Sequence, residues 1–69
     1  MIFNNIEITE LENIGCNCTP FMGYKDNLYF SLDKKKGLII DQYIYKKDKF
    51  VGINTLEGAT FEELINKLK

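Results

Sequence analysis

The chain contains no His, no Arg and no Trp, and only one Pro, one Ala and two Cys. Each shortage excludes something. Without His there is no side chain whose unperturbed pKa lies near neutrality, and without Arg there is no planar donor fork to clamp phosphate or carboxylate. A nucleophilic Cys would have to borrow a Lys or a carboxylate as its base, so the residue types argue against an enzyme. Cys16 and Cys18 are spaced C-x-C and supply two soft ligands where a structural zinc site takes four, which leaves at most a site shared between subunits. A disulfide between residues two apart would be strained, so both are expected as reduced thiols, at least one of them packed as a small apolar side chain. No metal and no cofactor are expected. Gly15, Gly23, Gly37, Gly52 and Gly58 are scattered rather than gathered into a phosphate-binding loop. No apolar run approaches the roughly 20 residues of a membrane span, and Met1-Ile2-Phe3 lacks the basic start of a signal peptide, which predicts a cytoplasmic protein with no membrane partner.

What the chain does contain is enough for one small domain over residues 1–69, with 45% hydrophobic, 13% aromatic and 28% charged residues. A core of this size supplies only about 3–5 kcal/mol. Nine Lys against ten acids leave a net charge of −1, far from the basic balance of a dedicated nucleic-acid binder. The charge is unevenly placed. Residues 1–15 hold three Glu and no cation, whereas residues 16–49 hold seven Lys against four Asp. Nine Ile, nine Lys and seven Asn are what AT-rich codons produce, which associates the sequence with a low-GC bacterium or with a phage or mobile element living in one.

The end of the chain carries the clearest structural signal. Thr60-Phe61-Glu62-Glu63 has the spacing of a capping box, and Phe61, Leu64, Ile65 and Leu68 fall on one helical stripe, predicting a helix over about Phe61–Leu68. So short a helix has to dock on something. Upstream, β-branched and aromatic residues come in three runs, Asn27–Leu32, Leu38–Tyr45 and Phe50–Asn54, separated by the polar turns Asp33–Gly37 and Lys46–Lys49. Links this short predict an antiparallel meander. Alternation places Leu28, Phe30, Leu32, Leu38, Ile40, Ile44, Val51 and Ile53 on one face, interrupted by Gln42, and Tyr29, Ser31, Ile39, Asp41, Tyr43, Tyr45, Phe50 and Gly52 on the other. The first face is expected to meet the helix.

The first 26 residues are read less directly. Ile6 and Ile8 alternate with Glu7 and Thr9 as in a strand, yet Ile8, Leu11 and Ile14 also stand at helical spacing. The reading adopted is a strand over about Ile2–Thr9, with Glu10–Ile14 open and Gly15–Tyr24 an irregular loop. The expected fold class is therefore α+β, a three- to four-stranded antiparallel sheet with a C-terminal helix on one face.

The aromatic face carries the functional expectation. Tyr29, Tyr43, Tyr45 and Phe50 on one side of a sheet offer low-entropy, amphipathic contact area for a protein partner. Two alternatives would hide them: residues 1–26 folding across that face, or a homodimer formed through it. The lysines carry a second expectation, since Lys34, Lys35, Lys36, Lys46 and Lys47 in two hairpin turns could bind a phosphate backbone. In a meander these turns lie at opposite ends, and Lys also serves to solubilise turns. Three strands followed by a helix resembles the small sheet-reading DNA-binding domains of some integrases, whose recognition relies on Arg that this chain lacks. The stretch Gly58-Ala59-Thr60-Phe61-Glu62-Glu63 resembles the strand-to-helix step of HicB-type antitoxins and of some toxin-immunity proteins, but through a generic capping pattern that assigns no family. The sequence reading is thus a non-catalytic protein-binding module, a small inhibitor or regulator of a host protein of the anti-defence, anti-CRISPR-like kind. The alternative is a small nucleic-acid-binding regulator using the Lys turns.

Overall fold

The computed structural model describes residues 1–69. The chain opens with a helix. Asn4 accepts from the Glu7 N–H at 2.8 Å while the Glu7 carboxylate accepts from the Asn4 N–H at 2.9 Å, and this reciprocal cap starts α1, Asn5–Ile14. Gly15 ends it at φ 109°, donating its N–H to the carbonyls of Leu11 and Glu12. This corrects the strand expected over Ile2–Thr9. On a helix Ile6 and Ile8 lie about 200° apart, so the apparent alternation is accidental. Ile6 is exposed, whereas Ile8 packs against the core and Leu11 is fully buried.

Cys16 donates its N–H to the Leu11 carbonyl at 3.0 Å, and the chain passes at once into β1, Asn17–Thr19. Pro20-Phe21 turns it into β2, Met22–Lys25, and Asp26-Asn27 turns it again into β3, Leu28–Asp33. Gly15–Tyr24, expected as an irregular loop, therefore hold β1 and all but the last residue of β2. β4, Gly37–Lys46, and β5, Lys49–Ala59, complete a five-stranded antiparallel meander whose spatial order follows the chain, against the three or four strands expected. The two added strands are three and four residues long and are held by hydrogen bonds to their neighbours, since segments so short carry only a weak pattern of their own.

The final helix, α2, Phe61–Leu68, has the predicted bounds. Thr60 and Glu63 form its capping box at 3.1 and 2.9 Å, and Lys25 Nζ donates to the Leu68 carbonyl at 3.3 Å, tying the last turn to β2. One core forms. Leu28, Phe30, Leu38 and Ile40 of the sheet meet Leu11 of α1 and Leu64, Ile65 and Leu68 of α2, with Phe3 set edge-on to Phe30 at 5.9 Å. Both helices thus lie on one face of the sheet.

The sheet is longer than its cover. An eight-residue helix spans about 12 Å, whereas a ten-residue strand spans about 33 Å. β3 ends its pairing at Leu28 opposite Gln42, and beyond that point β4 and β5 continue alone as a two-stranded ribbon. Ile44, Val51 and Ile53, expected in the core, are exposed there. Two bulges in β5 change the faces further. The register moves from Gln42–Asn54 to Tyr43–Gly52, so Ile53 drops out of the alternation, and Asn54 comes opposite Gln42 and donates to its side chain at 3.4 Å. The second bulge, between the Leu38 and Ile40 pairings, contains Gly58 at φ 68°, which donates its N–H to the Lys36 carbonyl.

Candidate functional site

The face opposite the helices is assembled by cross-strand register. Tyr24 pairs with Tyr29, Tyr29 with Asp41 and Asp41 with Thr55, giving one row across four strands. Tyr43 opposite Gly52 and Tyr45 opposite Phe50 continue the face onto the ribbon. The rings form a trio and a pair: Tyr24 and Tyr29 stack at 5.4 Å, Tyr29 and Tyr43 meet at 80° with centroids 6.4 Å apart, and Tyr45 meets Phe50 at 5.3 Å. Such pairs hold one another in place without burying either ring.

Neither the first 26 residues nor α2 covers this surface, because both helices are committed to the core on the other side. Tyr29 is 48% exposed, Tyr45 64% and Phe50 60%, while Tyr43 is half-buried. All four predicted aromatic residues therefore share one uncovered face. Tyr24, placed in a loop by the sequence reading, belongs to it as well. Its signal was present in Met22-Gly23-Tyr24-Lys25, an alternating segment bounded by a Pro-containing turn and by Asp26-Asn27.

A cavity of about 270 Å³ opens in this face where the ribbon leaves the sheet, lined by Asp26, Asn27, Tyr29, Tyr43 and Phe50. Its walls are fixed by backbone. Tyr43 donates its N–H to the Asn27 carbonyl at 2.9 Å and accepts from the Asn27 side chain at 2.5 Å, which locks the start of the ribbon to the β2–β3 turn. Nearby, the Asp41 carboxylate accepts from the Thr55 hydroxyl at 2.8 Å.

The lysines are not brought together. Lys34, Lys35 and Lys36 occupy the turn between β3 and β4, whereas Lys46 and Lys47 stand at the tip of the ribbon, separated by the length of β4, about 30 Å. Lys36 Nζ is moreover engaged with Glu57 at 3.2 Å. The first turn is organised by Asp33, whose carboxylate accepts the N–H groups of Lys36 and Lys35 and is held below its ordinary pKa by those two bonds.

Cys16 is buried and Cys18 half-buried, and burial raises the pKa of both thiols. Cys18 and Asp26 add to the rise at Cys16 and Glu12 to that at Cys18, while Lys25 opposes it at Cys16. At neutral pH both are thereby more fully protonated than a free thiol. No group of three or more Cys, Asp or Glu side chains is placed to hold a metal ion, and no helix is long and apolar enough to cross a membrane.

No family model matches the chain, and no curated protein or solved structure shows a significant similarity to it.

Proposed function

We propose that this protein is a non-catalytic binding module that engages another protein through the uncovered aromatic face, with Tyr29, Tyr43, Tyr45 and Phe50 as anchors and Tyr24 extending the contact. The observation that carries the reading is the placement of both helices on one side of the sheet, which leaves a contiguous aromatic surface on the other side. Tyr is the residue type most suited to such a role, combining a large rigid apolar body with a hydroxyl that tolerates water in the free state. A small inhibitor or regulator of a host protein, encoded by a phage or mobile element and of the anti-CRISPR-like kind, is the biological setting we propose. That setting rests on composition. Cytoplasmic action belongs to the same proposal.

The test is affinity capture with the tagged chain as bait in a nuclease-treated lysate of a low-GC bacterium, beside the double variants Tyr29→Ser/Tyr43→Ser and Tyr45→Ser/Phe50→Ser. Circular dichroism of each variant establishes that it folds. A stoichiometric protein held by the wild type and weakened about 30-fold or more by either folded variant is expected, as for the loss of a binding hot spot. Retention of that protein by both variants would overturn the assignment of the face. Recovery of nucleic acid released by salt, and lost on changing Lys34–Lys36 or Lys46-Lys47, would transfer the function to the lysine turns.

A further inference from the structure

The cavity at the base of the ribbon has a composition that the rest of the aromatic face lacks. Three of its five lining residues are the aromatic rings of Tyr29, Tyr43 and Phe50, and a fourth is Asp26. Tyr29 and Tyr43 stand at 80° to each other and form a corner, with Phe50 and the Asp26-Asn27 turn lining the other sides. Ring faces carry negative quadrupole charge, so an open cleft lined by three aromatic residues and bordered by Asp26 attracts an alkylated ammonium group and its methylenes together.

The surrounding charges favour the same occupant. Asp26 has no cation bound to it, because the only ion pair in the protein joins Lys36 and Glu57. The adjacent Lys25 forms no ion pair with Asp26, its Nζ donating instead to the Leu68 carbonyl at the end of α2. Asp41, opposite Tyr29 in the register, adds a second carboxylate to this face, bound to a hydroxyl and not to a cation. Lys46 and Lys49 pair with each other one position beyond Tyr45 and Phe50, so alternation places them on the other face of the ribbon.

We propose that the Asp26–Tyr29–Tyr43–Phe50 cavity is a receptor for an ammonium group, and that its occupant is a lysine side chain presented by the partner protein. The proposal deepens the reading of the aromatic face and rests on it. The partner's lysine stem lies along the rings and its charged head meets the Asp26 carboxylate, which makes this cavity the point where the partner's orientation is set. Flat contact with the remaining tyrosines supplies area without demanding charge.

The experiment is a nuclear magnetic resonance titration of the isotopically labelled chain with Nα-acetyl-lysine-N-methylamide and with its Nε-trimethyl form. The Nε-acetyl form, which has no charge, serves as the control. Both cationic probes are expected to shift the resonances of Tyr29, Tyr43 and Phe50 saturably, and the neutral probe to leave them in place. Asp26→Asn is expected to weaken the cations about fivefold while keeping the turn, since Asn tolerates the positive φ of 54° found at this position. Tyr43→Leu, which keeps an apolar wall but removes the ring, is expected to abolish the shifts. Equal binding of the neutral probe, or cation binding indifferent to Asp26→Asn, would overturn the ammonium site. A partner captured through the aromatic face but insensitive to Asp26→Asn and to competing lysine probe would overturn it too, while leaving the face itself in place.

Discussion

The Phe30 ring ends where the side chain of Gly23 would begin: a Cβ built on Gly23 would lie 2.5 Å from Phe30 Cζ. The same atom would lie 2.7 Å from Cys18 Cβ and 2.8 Å from the Asn17 carbonyl oxygen. Gly23 pairs with Cys18 on one side and Phe30 on the other, so the most buried ring of the sheet lies across a strand that has no side chain at that point. Two of the three obstructing groups belong to β1 and cannot rotate away.

Gly23→Ala is therefore expected to cost about 1–3 kcal/mol through overpacking, a large share of the stability available to a chain of 69 residues. Urea unfolding of variant and wild type measures it directly. An unchanged midpoint would mean that Phe30 does not lie across β2 as described. Because the aromatic face is on the other side of the sheet, any fraction of the variant that folds should still bind the partner.

The tip of the ribbon yields an expectation of the opposite sign. Lys47 and Asp48 both have positive φ, 52° and 62°, in the two-residue turn that joins Lys46 to Lys49. This is the backbone that Asn-Gly adopts in hairpins, and a Lys held there is strained. Replacing the pair by Asn-Gly should stabilise the ribbon by about 1 kcal/mol, read as slower amide hydrogen exchange at residues 43–53. Faster exchange would show that the ribbon turns in some other way.

Asp33 gives the chain a pH dependence of known direction. Its folded-state pKa is lowered from 3.8 by the N–H groups of Lys36 and Lys35, with the Lys36 charge adding to the effect, so the folded protein binds a proton there less readily than the unfolded chain does. The stabilisation is complete above the unfolded value and is lost as pH falls through the lowered folded value. Asp33→Asn should accordingly be less stable than wild type at neutral pH, with the difference narrowing below about pH 3.8. Thermal unfolding across pH 2–7 would reveal it, and a difference that stays constant with pH would sink the assignment. Asn still offers an acceptor to the turn, so the comparison isolates the charge.

Some elements were legible because their causes are local. For α2, the Thr60–Glu63 cap and the Phe61, Leu64, Ile65 and Leu68 stripe are complete within nine residues, and the helix forms with the predicted bounds. α1 has the equivalent cap in Asn4 and Glu7 and the equivalent stop in Gly15, but Ile6 and Ile8 imitate a strand period and outweighed it. The aromatic face was legible as a set, since alternation along β3 and β4 puts Tyr29, Tyr43 and Tyr45 on one side whatever lies on the other. Tyr24 was missed because β2 is held by β1 and β3 and has little preference of its own.

The sequence by itself determined the local conformations and the partition of each long strand into two faces, because capping, turn chemistry and the period of two act between residues close along the chain. The tertiary structure alone decided which face is covered. Nothing in the pattern of Leu11 says that α1 joins α2 on the Phe30 and Ile40 side, or that helices of ten and eight residues leave the far end of β4 and β5 bare. Ile44 and Val51 share the alternation of Ile40 and Leu38 but not their burial, because burial depends on the reach of a second element, which hydrophobic period does not measure. The cavity at Asp26 is of the same kind. It is formed by residues from a turn and three strands, and it exists only where the ribbon, its helical cover ended, departs from the sheet.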